Sequence, residues 1–341
     1  MNASPTKNRY FITGSMGFVG RHLAIRLLEQ GHAVTGTDIL DASDLPPGVD
    51  YQKVDVCDYA QLKKAMAGHT AVFHVASLVQ TRQSDAQMVW AVNHQGSLNV
   101  VRACRELTIK RLVYVSSASV VYEGGNIENG DESLPYASVS QAPYADSKIA
   151  AEKSVLEAHK EGVLHTCAIR PHVVFGPGDG RFIPALIKRA QAGRLRYGVG
   201  RGQKFSDFTY IDNLIDALVS ADGYLSRDDI ADGQAFFITN GEPIAFWDFV
   251  DKVLVGLNQK PTKGRIPFFL AYGVATIAET LGVLLAKSAG PEDGLTRFAI
   301  RYMCTHHYFS IQKAKELLDY EPRIDIDEGI VRTLKEVHSF S

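Results

Sequence analysis

Tyr144 and Lys148 stand four residues apart in a segment with the periodicity of a helix. At that spacing two side chains share one face of a helix, about one turn apart. A free tyrosine has a pKa of about 10 and is a weak base at neutral pH. A nearby ammonium lowers that pKa, and the resulting phenolate can take a proton from a substrate hydroxyl. The pair therefore predicts a general base for alcohol oxidation, unless an ordinary amphipathic helix carries both residues by chance.

Gly14, Gly17 and Gly20 lie where a short apolar run gives way to a helical pattern. The first glycine suits a tight turn, the second lets the backbone approach a pyrophosphate, and the third lets the helix pack against the strand. The amides at a helix N-terminus then attract the phosphates. This strand–turn–helix context predicts a dinucleotide site and favours the catalytic interpretation of the tyrosine.

Asp38 ends the second predicted strand, 18 residues after Gly20. A carboxylate at this place binds the ribose hydroxyls of a dinucleotide and repels a 2′-phosphate. No arginine immediately follows it, so NAD is favoured over NADP. The alternative is a turn residue that only ends the strand.

Composition argues against several other kinds of site. The chain has 341 residues with 36 basic and 38 acidic side chains, so no bulk charge attracts nucleic acid. His306 and His307 are adjacent, point in different directions and have no obvious third ligand, so we expect no metal site. The polar N-terminus lacks the apolar stretch of a signal peptide, and scattered cysteines indicate reduced thiols in a cytoplasmic protein. The cysteines are Cys57, Cys104, Cys167 and Cys304.

Short apolar runs alternate with helical patterns, which predicts an α/β fold with a doubly wound parallel sheet of the Rossmann type. Residues 1–180, with a return strand near 236–239, are expected to bind the nucleotide, and residues 181–341 to form a smaller, mostly helical substrate-binding region. The predicted strands are Tyr10–Thr13, Ala33–Thr37, Tyr51–Lys53, Ala71–His74, Arg111–Val115 and His165–Arg170. The predicted helices are Val19–Glu29, Tyr59–Met66, Val89–Glu106 and Tyr144–Glu161.

The glycine spacing Gly-x-x-Gly-x-x-Gly resembles that of extended short-chain dehydrogenases rather than the standard Gly-x-Gly-x-x-Gly. The resemblance continues through residues 55–56, which match the adenine contact, 75–77 below the cofactor, Asn93 with Gly96, and 170–173 beside the nicotinamide. It implies NAD as the cofactor. The implied contacts are Gly14, Met16, Gly17, Phe18, Val19, Gly20, Asp38, Asp55, Val56, Ala76, Ser77, Asn93, Lys148, Pro171 and Val173.

The same family places a Ser or Thr at a strand end, where it hydrogen-bonds the substrate oxygen. Ser116, Ser117 and Ser119 follow the strand Arg111–Val115. Ser117 best matches the second serine of the family's Ser-Ser pair, which implies that it joins the tyrosine and the lysine in the catalytic set. Local capping of the strand end accounts for the other two serines.

Residues 116–124, 236–247 and 305–310 resemble segments of the 3β-hydroxysteroid dehydrogenase family, and within it of sterol-4α-carboxylate 3-dehydrogenases. The resemblance implies that a sterol 3β-hydroxyl is oxidised to a ketone by NAD. With a carboxylate on C4 the product is a β-keto acid, which loses carbon dioxide because the ketone accepts the electrons of the breaking bond. Arg170, Arg181 and Arg201 are candidates for binding such a carboxylate, and the sequence favours none of them.

Other functions remain open at this point. A nucleotide-sugar epimerase or dehydratase uses the same base and cofactor but needs a basic region for a diphosphate, for which Arg194, Arg196, Arg201 and Lys204 are available. A reductase of long-chain β-ketoacids is a further variant. A non-catalytic protein that senses NAD belongs to another class, but such proteins often lose the tyrosine or the lysine, and this chain retains both.

The segment Ile266–Ala286 has 21 residues and one charged side chain, Glu279. A helix of that length is about 30 Å long, enough to cross a bilayer core. By analogy with Asp, a central carboxylate would cost about 2.5–3.5 kcal/mol in lipid, and two short core helices are an alternative. We favour a helix face that lines a sterol entrance and makes peripheral contact with a membrane. A homodimer through two long central helices is usual in the resembling family and is expected here.

Overall fold

A computed structural model describes residues 8–42, 45–80, 85–162, 164–227, 231–284 and 296–339 of the chain. The strands are β1 Arg9–Thr13, β2 Ala33–Asp38, β3 Val49–Lys53, β4 Ala71–His74, β5 Arg111–Val115, β6 Ile127–Gly130, β7 His165–Pro171, β8 Val174–Phe175, β9 Gly198–Val199, β10 Phe205–Ser206, β11 Thr209–Tyr210, β12 Gln234–Ile238, β13 Ile244–Ala245, β14 Arg265–Ile266 and β15 His307–Phe309. The helices are α1 Phe18–Glu29, α2 Tyr59–Met66, α3 Ala86–Trp90, α4 Gly96–Glu106, α5 Pro143–Glu157, α6 Phe182–Gln191, α7 Ile211–Arg227, α8 Phe246–Gly256, α9 Phe268–Leu284, α10 Arg297–Met303, α11 Gln312–Leu318 and α12 Ile326–Ser339. A π-helical turn spans Ala91–Gln95, and 3₁₀ turns span Ala118–Val121 and Ala158–Glu161.

Seven of the described strands form one parallel sheet in the order β12-β7-β5-β4-β1-β2-β3. Its strands are apolar because helices cover both faces. Tyr10 and Ile12 of β1 belong to one hydrophobic core with Leu23 of α1. Phe11, on the opposite face of the same strand, belongs to a second core with Val100 of α4. The doubly wound, Rossmann-type α/β fold predicted from the sequence is therefore confirmed.

The strand order reverses at β1, which lies between β4 and β2. At such a point the loops that follow the diverging strands leave a crevice beyond their carboxyl ends. The loop after β1 contains the three glycines, and the loop after β4 contains residues 75–80. At the far edge of the sheet β12 pairs with β7, in the region where the sequence predicts a return strand.

The predicted elements of the first half lie close to the observed ones, except in the central helix. The pattern Val89–Glu106 predicts one helix, whereas the structure has the end of α3, a π-helical turn and α4. The π turn holds Asn93, which is buried and bonded to the loop after β4. Gly96 then lets α4 approach Val56, because a Cβ at Gly96 would lie 2.7 Å from Val56 Cγ2. π-Helical turns such as the one that holds Asn93 often occur at functional sites.

Beyond β8 the chain forms helices and short strand pairs. β13, β10, β15 and β6 form a small sheet, β11 pairs with β8, and β14 pairs with β9. The apolar segment forms one helix, α9, rather than two short ones, and its last two residues, 285 and 286, lie outside the described residues. Among the residues described, no helix is both long enough and apolar enough to cross a bilayer.

Candidate active site

The loop between β1 and α1 forms a cradle at the crevice. Gly14 has a φ of +72°, and a Cβ there would lie 2.8 Å from the backbone nitrogen of Ala76. A Cβ at Gly20 would collide with the carbonyl oxygen of Gly14. Gly17 is exposed and begins α1 with no side chain over the helix end. The first amides of α1 are therefore suited to a phosphate.

Asp38 closes this cradle at the end of β2. Its carboxylate accepts the N–H groups of Met16 at 3.3 Å, Ile39 at 2.8 Å and Leu40 at 3.3 Å. The side chain is only half-buried, so it can also accept hydrogen bonds from a ligand. Amide donors suit a pyrophosphate and a carboxylate acceptor suits ribose hydroxyls, so these residues fit a dinucleotide.

Asp55 and Val56 form the turn that follows β3. Asp55 is exposed, and its carboxylate accepts the N–H of Cys57 at 2.8 Å. Val56 is buried, and its carbonyl accepts from Asn99 Nδ2 at 2.9 Å. The turn is thus fixed to α4 on one side and presents a carboxylate on the other.

A buried chain of hydrogen bonds anchors the loop after β4. The Thr13 hydroxyl oxygen accepts the N–H groups of Val75 and Ala76, both at 3.1 Å. Its own proton therefore goes to His74 Nδ1 at 2.7 Å, and His74 Nε2 bonds the Ser97 hydroxyl at 2.8 Å. Burial lowers the pKa of His74 to about 3, so the ring stays neutral. This chain fixes the position of the loop relative to β1.

Asn93 ties the same loop to α5. Its carbonyl oxygen accepts the N–H of Leu78 at 2.7 Å and the hydroxyl of Ser77 at 3.2 Å. Its amide nitrogen donates to the Leu78 carbonyl at 3.1 Å and to the Ser147 hydroxyl at 3.0 Å. These four bonds occupy the carboxamide, so Asn93 holds the loop that the family resemblance places below the cofactor.

The hydroxyl of Tyr144 meets two serines at the carboxyl edge of the sheet. Tyr144 lies in the first turn of α5, and the hydroxyls of Ser117 and Ser77 are close enough to lower its pKa. Ser119 donates its hydroxyl proton to Ser117 Oγ at 2.9 Å, so the Ser117 proton is available to another acceptor. The Ser116 hydroxyl is buried and has no partner among the described residues. Ser117 is thus the serine that faces the tyrosine.

Several neighbours act on the pKa of Tyr144. Burial raises this pKa from its ordinary value, and hydrogen bonds from Ser117 and Ser77 lower it. The positive charge of Arg181 also lowers it. Burial has the largest effect, so the pKa of Tyr144 stays above its ordinary value, and the hydrogen-bond donors and the cation offset only part of the rise.

Lys148 lies one turn further along α5. Its Nζ donates to the Val115 carbonyl at 2.5 Å and lies 4.1 Å from the centre of the Tyr114 ring. Burial lowers the pKa of Lys148 to about 7, against the opposing charge of Glu152. The sequence predicts that the lysine lowers the pKa of Tyr144. In the structure the serines and the arginine have that effect, because Lys148 is directed toward β5.

Arg170, a sequence candidate for binding a carboxylate, is committed to a buried ion pair. Its Nε donates to both carboxylate oxygens of Glu152 at 3.1 Å, and its Nη2 donates to one of them at 2.6 Å. The Tyr136 hydroxyl bonds the same carboxylate at 2.8 Å. Separating the pair would leave an uncompensated buried charge, so Arg170 supports the end of β7 rather than a ligand.

Stacked rings form the opposite wall of the crevice. His172 Nδ1 donates to the Asp207 carbonyl at 2.7 Å, so its Nε2 accepts the hydroxyl of Tyr302. The Tyr302 ring stacks on His307 with centroids 3.9 Å apart. Burial and the nearby His307 lower the pKa of His172 to about 3, so this ring is neutral. Burial, together with charges that include that of Tyr144, raises the pKa of Tyr302, which places this wall beside the tyrosine.

A strained turn joins β7 to this wall. Pro171 ends β7, and Val173 has a φ of +27°, which a β-branched residue rarely adopts. The Val173 carbonyl accepts the N–H of Thr209 at 3.1 Å. The Thr209 hydroxyl donates to the His172 carbonyl at 2.6 Å. Strain of this kind persists only where the surroundings hold it, and it is frequent at binding sites.

Sequence reasoning missed several of these residues. Thr13 and His74 are polar residues at the ends of largely apolar strands. The sequence alone contains this signal. The contact between His172 and Tyr302 joins residues 130 positions apart, and no local pattern indicates it. His307 lies next to the conspicuous His306, and its ring stacks on Tyr302 in this wall.

The profile of the 3-beta hydroxysteroid dehydrogenase/isomerase family matches residues 11–268. The chain belongs to this family. The match extends from β1 to the beginning of α9 and includes the glycine cradle, the Tyr144 helix and the strained turn at Val173. The family that the motifs resemble is therefore confirmed.

Two individual relatives agree with this family assignment. The chain is 37% identical over 329 residues to the sterol-4-alpha-carboxylate 3-dehydrogenase, decarboxylating, of Mus musculus, which covers 96% of the chain and 90% of that protein. It is 35% identical over 336 residues to the sterol-4-alpha-carboxylate 3-dehydrogenase erg26, decarboxylating, of Schizosaccharomyces pombe, with 96% of each chain covered.

Two solved structures share the fold of this chain. The epimerase Mth375 of Methanothermobacter thermautotrophicus has a TM-score of 0.77 and 23% identity, over 98% of this chain and 93% of that one. The Bordetella bronchiseptica enzyme WbmH in complex with NAD+ has a TM-score of 0.75 and 19% identity, over 98% and 100%. At these identities the likeness concerns the fold alone.

Proposed function

We propose that this member of the 3β-hydroxysteroid dehydrogenase family uses NAD to oxidise the 3β-hydroxyl of a sterol that carries a carboxylate on C4. The observation that carries the chemistry is the position of Tyr144, at the start of α5, beside Ser117, at the end of β5. The choice of substrate is supported by relatives named for acting on sterol 4-alpha-carboxylates. The product is then a 3-ketone.

Tyr144 is the general base of this proposal. Ser117 donates a hydrogen bond to the substrate oxygen, because its own oxygen already accepts from Ser119. Tyr144, whose phenolate is favoured by the positive charge of Arg181, takes the hydroxyl proton. When bound, NAD accepts the hydride that leaves C3. Lys148 is assigned to the nicotinamide ribose, as the family resemblance implies.

Loss of carbon dioxide needs no additional catalytic residue. Oxidation places a ketone on the carbon next to the one that carries the carboxylate. When the bond from C4 to the carboxylate breaks, its electron pair moves toward the ketone oxygen and gives an enolate. The O–H groups of Ser117 and the now protonated Tyr144 stabilise that oxygen, and a proton from water restores the ketone.

The NAD site is assigned to the residues that the sequence indicates. Asp38 binds the adenosine ribose, and the turn after β3 flanks the adenine. The loop after β4 lies below the cofactor, and the turn after β7 meets the nicotinamide. The residues are Gly14, Met16, Gly17, Phe18, Val19, Gly20, Asp38, Asp55, Val56, Ala76, Ser77, Asn93, Lys148, Pro171 and Val173.

A comparison of three substrates tests this function. Purified protein with NAD is given a 4α-carboxysterol, a plain 3β-hydroxysteroid and a UDP-sugar, while NADH, carbon dioxide and sugar epimers are measured. We expect NADH and carbon dioxide in equal amounts from the carboxysterol and no epimer. Epimer formation would instead indicate a nucleotide-sugar enzyme. NAD binding without turnover of any substrate would indicate a sensor protein.

We also propose that α9 makes peripheral contact with a membrane near the sterol entrance. Phe269 and Ile277 are 67% and 62% exposed, whereas Ala271 and Ala275 on the same helix are buried. The helix therefore presents an apolar surface outward. A sterol is almost insoluble in water, so an enzyme that collects it from a bilayer benefits from such a surface.

Liposome co-sedimentation tests the membrane contact. Wild-type protein is expected to sediment with sterol-containing liposomes at high salt, because the contact is apolar. The combined change of Phe268, Phe269 and Leu270 to Ser should release it. Val255→Ser with Val331→Ser, which removes exposed apolar side chains on α8 and α12, is the control. Wild type that stays in the supernatant would refute the membrane contact.

A homodimer through the central helices α4 and α5 is our proposal for the quaternary state. Met88 and Trp90 are 64% and 40% exposed on α3, which leads into α4 through the π turn. Sedimentation velocity should show a dimer that Trp90→Glu weakens. A monomer at every concentration tested would contradict it.

A further inference from the structure

Three arginines are candidates for binding an anionic substrate group, and the structure separates them. Arg170 is 4% exposed, and its Nε and Nη2 are engaged by Glu152, while its Nη1 is buried without a partner among the described residues. Arg201 is exposed in the turn between β9 and β10. Arg181 is also exposed, but it lies immediately before α6, and its Nη2 donates to the Val79 carbonyl at 2.9 Å.

The partner of Arg181 belongs to the loop that meets the catalytic tyrosine. Val79 follows Leu78 and Ser77, which are both fixed by Asn93. The Ser77 hydroxyl lies near enough to Tyr144 to act on its pKa. The Arg181 guanidinium thus joins the start of α6 to the loop after β4. Its partner Val79 is two residues from Ser77, which lies near Tyr144, the proposed base for the reacting hydroxyl.

We propose that Arg181 binds the C4 carboxylate of the substrate and so determines selectivity for carboxylated sterols. This inference rests on the function proposed above. The carboxylate is bonded to the carbon next to the one that carries the reacting hydroxyl, so both groups enter the same corner of the crevice. A guanidinium has five N–H donors in a fixed fork, and the bond to Val79 leaves others to hold a carboxylate in two-point fashion.

Binding of the carboxylate by Arg181 affects the substrate and the product differently. The carboxylate leaves as carbon dioxide after the alcohol has been oxidised, so the neutral ketone loses its contact with Arg181. The arginine therefore favours the substrate over the product, and the same residue that selects the substrate does not retain the product.

Arg181 also acts on Tyr144 through its charge, and this effect must be separated from binding. Burial raises the pKa of Tyr144, and the charge of Arg181 opposes that increase. Removing the charge raises the pKa further, so the phenolate forms at higher pH. The acidic limb of kcat/KM should therefore move to higher pH with every alcohol substrate, carboxylated or plain.

The test measures kcat/KM for a 4α-carboxysterol and for the matching plain 3β-hydroxysteroid, at a pH above the acidic limb. The variants are Arg181→Gln, Arg181→Lys and, as a charge-matched control, Arg201→Gln. Arg181→Gln should lower the ratio of the two values by about 10- to 100-fold, the range for hydrogen bonds to a charged group. Arg181→Lys should recover part of the ratio, and Arg201→Gln should leave it unchanged.

Arg301 provides the competing outcome. It lies 5.2 Å from the centre of the Tyr272 ring and 3.5 Å from Gln141 Oε1. A ratio that falls in Arg301→Gln and not in Arg181→Gln would overturn the proposal, as would equal losses on both substrates. A wild type that turns over neither sterol would refute the proposed function itself, which is a different result.

Discussion

The two walls of the crevice differ in whether backbone or side-chain atoms form them. The nucleotide wall is largely backbone, where Gly14 approaches Ala76 and the start of α1 faces outward. The substrate wall is made of side chains from distant segments, since His172 and Tyr302 meet across 130 positions of sequence. The difference supports the proposal that main-chain geometry forms the cofactor site and that long-range side-chain contacts form the substrate side.

Loss of the Tyr144 hydroxyl should have the largest effect, because the proposed base acts where the cofactor side and the substrate side of the crevice meet. Tyr144→Phe keeps the ring and removes the base, so turnover should fall by roughly 10²–10⁴-fold. The affinity for NAD, measured by fluorescence titration, should be close to that of wild type. Turnover near the wild-type rate would exclude Tyr144 as the base.

The backbone character of the nucleotide wall is tested by two glycines that both have positive φ. Gly14→Ala places a Cβ 2.8 Å from backbone atoms of Ala76, whereas Gly31→Ala, at φ +81°, meets nothing within 4 Å. Gly31→Ala should cost only the ~1–2 kcal/mol of an alanine in the left-handed region. Gly14→Ala should lower the free energy of unfolding further and weaken NAD binding at least tenfold. Equal effects in thermal unfolding and NAD titration would contradict the close approach.

Loss of the Asp38 carboxylate from the nucleotide wall should have an intermediate effect. Asp38→Ala should weaken NAD binding by about 1–3 kcal/mol, because hydrogen bonds to a carboxylate are lost. NADP should lose far less or gain, since the repulsion of its phosphate disappears. Asp41→Ala, which removes an 88% exposed carboxylate that pairs with Lys53, is the control. A wild-type preference for NADP in the same titration would refute the role of Asp38.

On the substrate wall a smaller and more selective effect is expected. Tyr302→Phe leaves His172 Nε2 buried without a donor, which should lower the free energy of unfolding by about 1–3 kcal/mol. The KM for sterol should rise while NAD affinity stays unchanged. Tyr197→Phe, at a tyrosine that is 47% exposed, is the control for both readouts. A loss of NAD affinity in Tyr302→Phe would mean that the two walls are not independent.

The pH dependence of stability follows from the neutral histidines of both walls. Burial lowers the pKa of His74 and of His172 to about 3, and that of His307 to about 4. Each ring takes up a proton more readily when the chain unfolds, where its pKa is about 6.5. Their contribution is present above pH 6.5 and is lost as the pH falls toward about 3. Chemical denaturation between these values should show a falling free energy of unfolding, and His172→Gln should flatten the curve.

The nucleotide wall could be read from the sequence because its signals are local. The strand before Gly14, the glycine spacing, Asp38 at a strand end and the four-residue spacing of Tyr144 and Lys148 all act within one or two elements. The direction of the Lys148 ammonium was not readable, because it depends on the Val115 carbonyl of another strand.

The contacts that form the substrate wall could be identified only from the structure. Arg170 and Arg181 are equivalent in the sequence, and only the buried Glu152 and the Val79 carbonyl distinguish them. The π turn at Asn93 likewise depends on contacts with the loop after β4. Such features are decided by which side chains meet across the fold, and no periodicity within one element records that.

Transfer of a deuterium label tests the central claim most directly. Wild-type protein is incubated with NAD and a 4α-carboxysterol that carries deuterium on C3, and both products are analysed by mass spectrometry. We predict one deuterium in the reduced cofactor for each 3-ketone formed, with one carbon dioxide released and no transfer in Tyr144→Phe. Deuterium that remains on C3 of the sterol, or transfer that persists undiminished in Tyr144→Phe, would contradict the account.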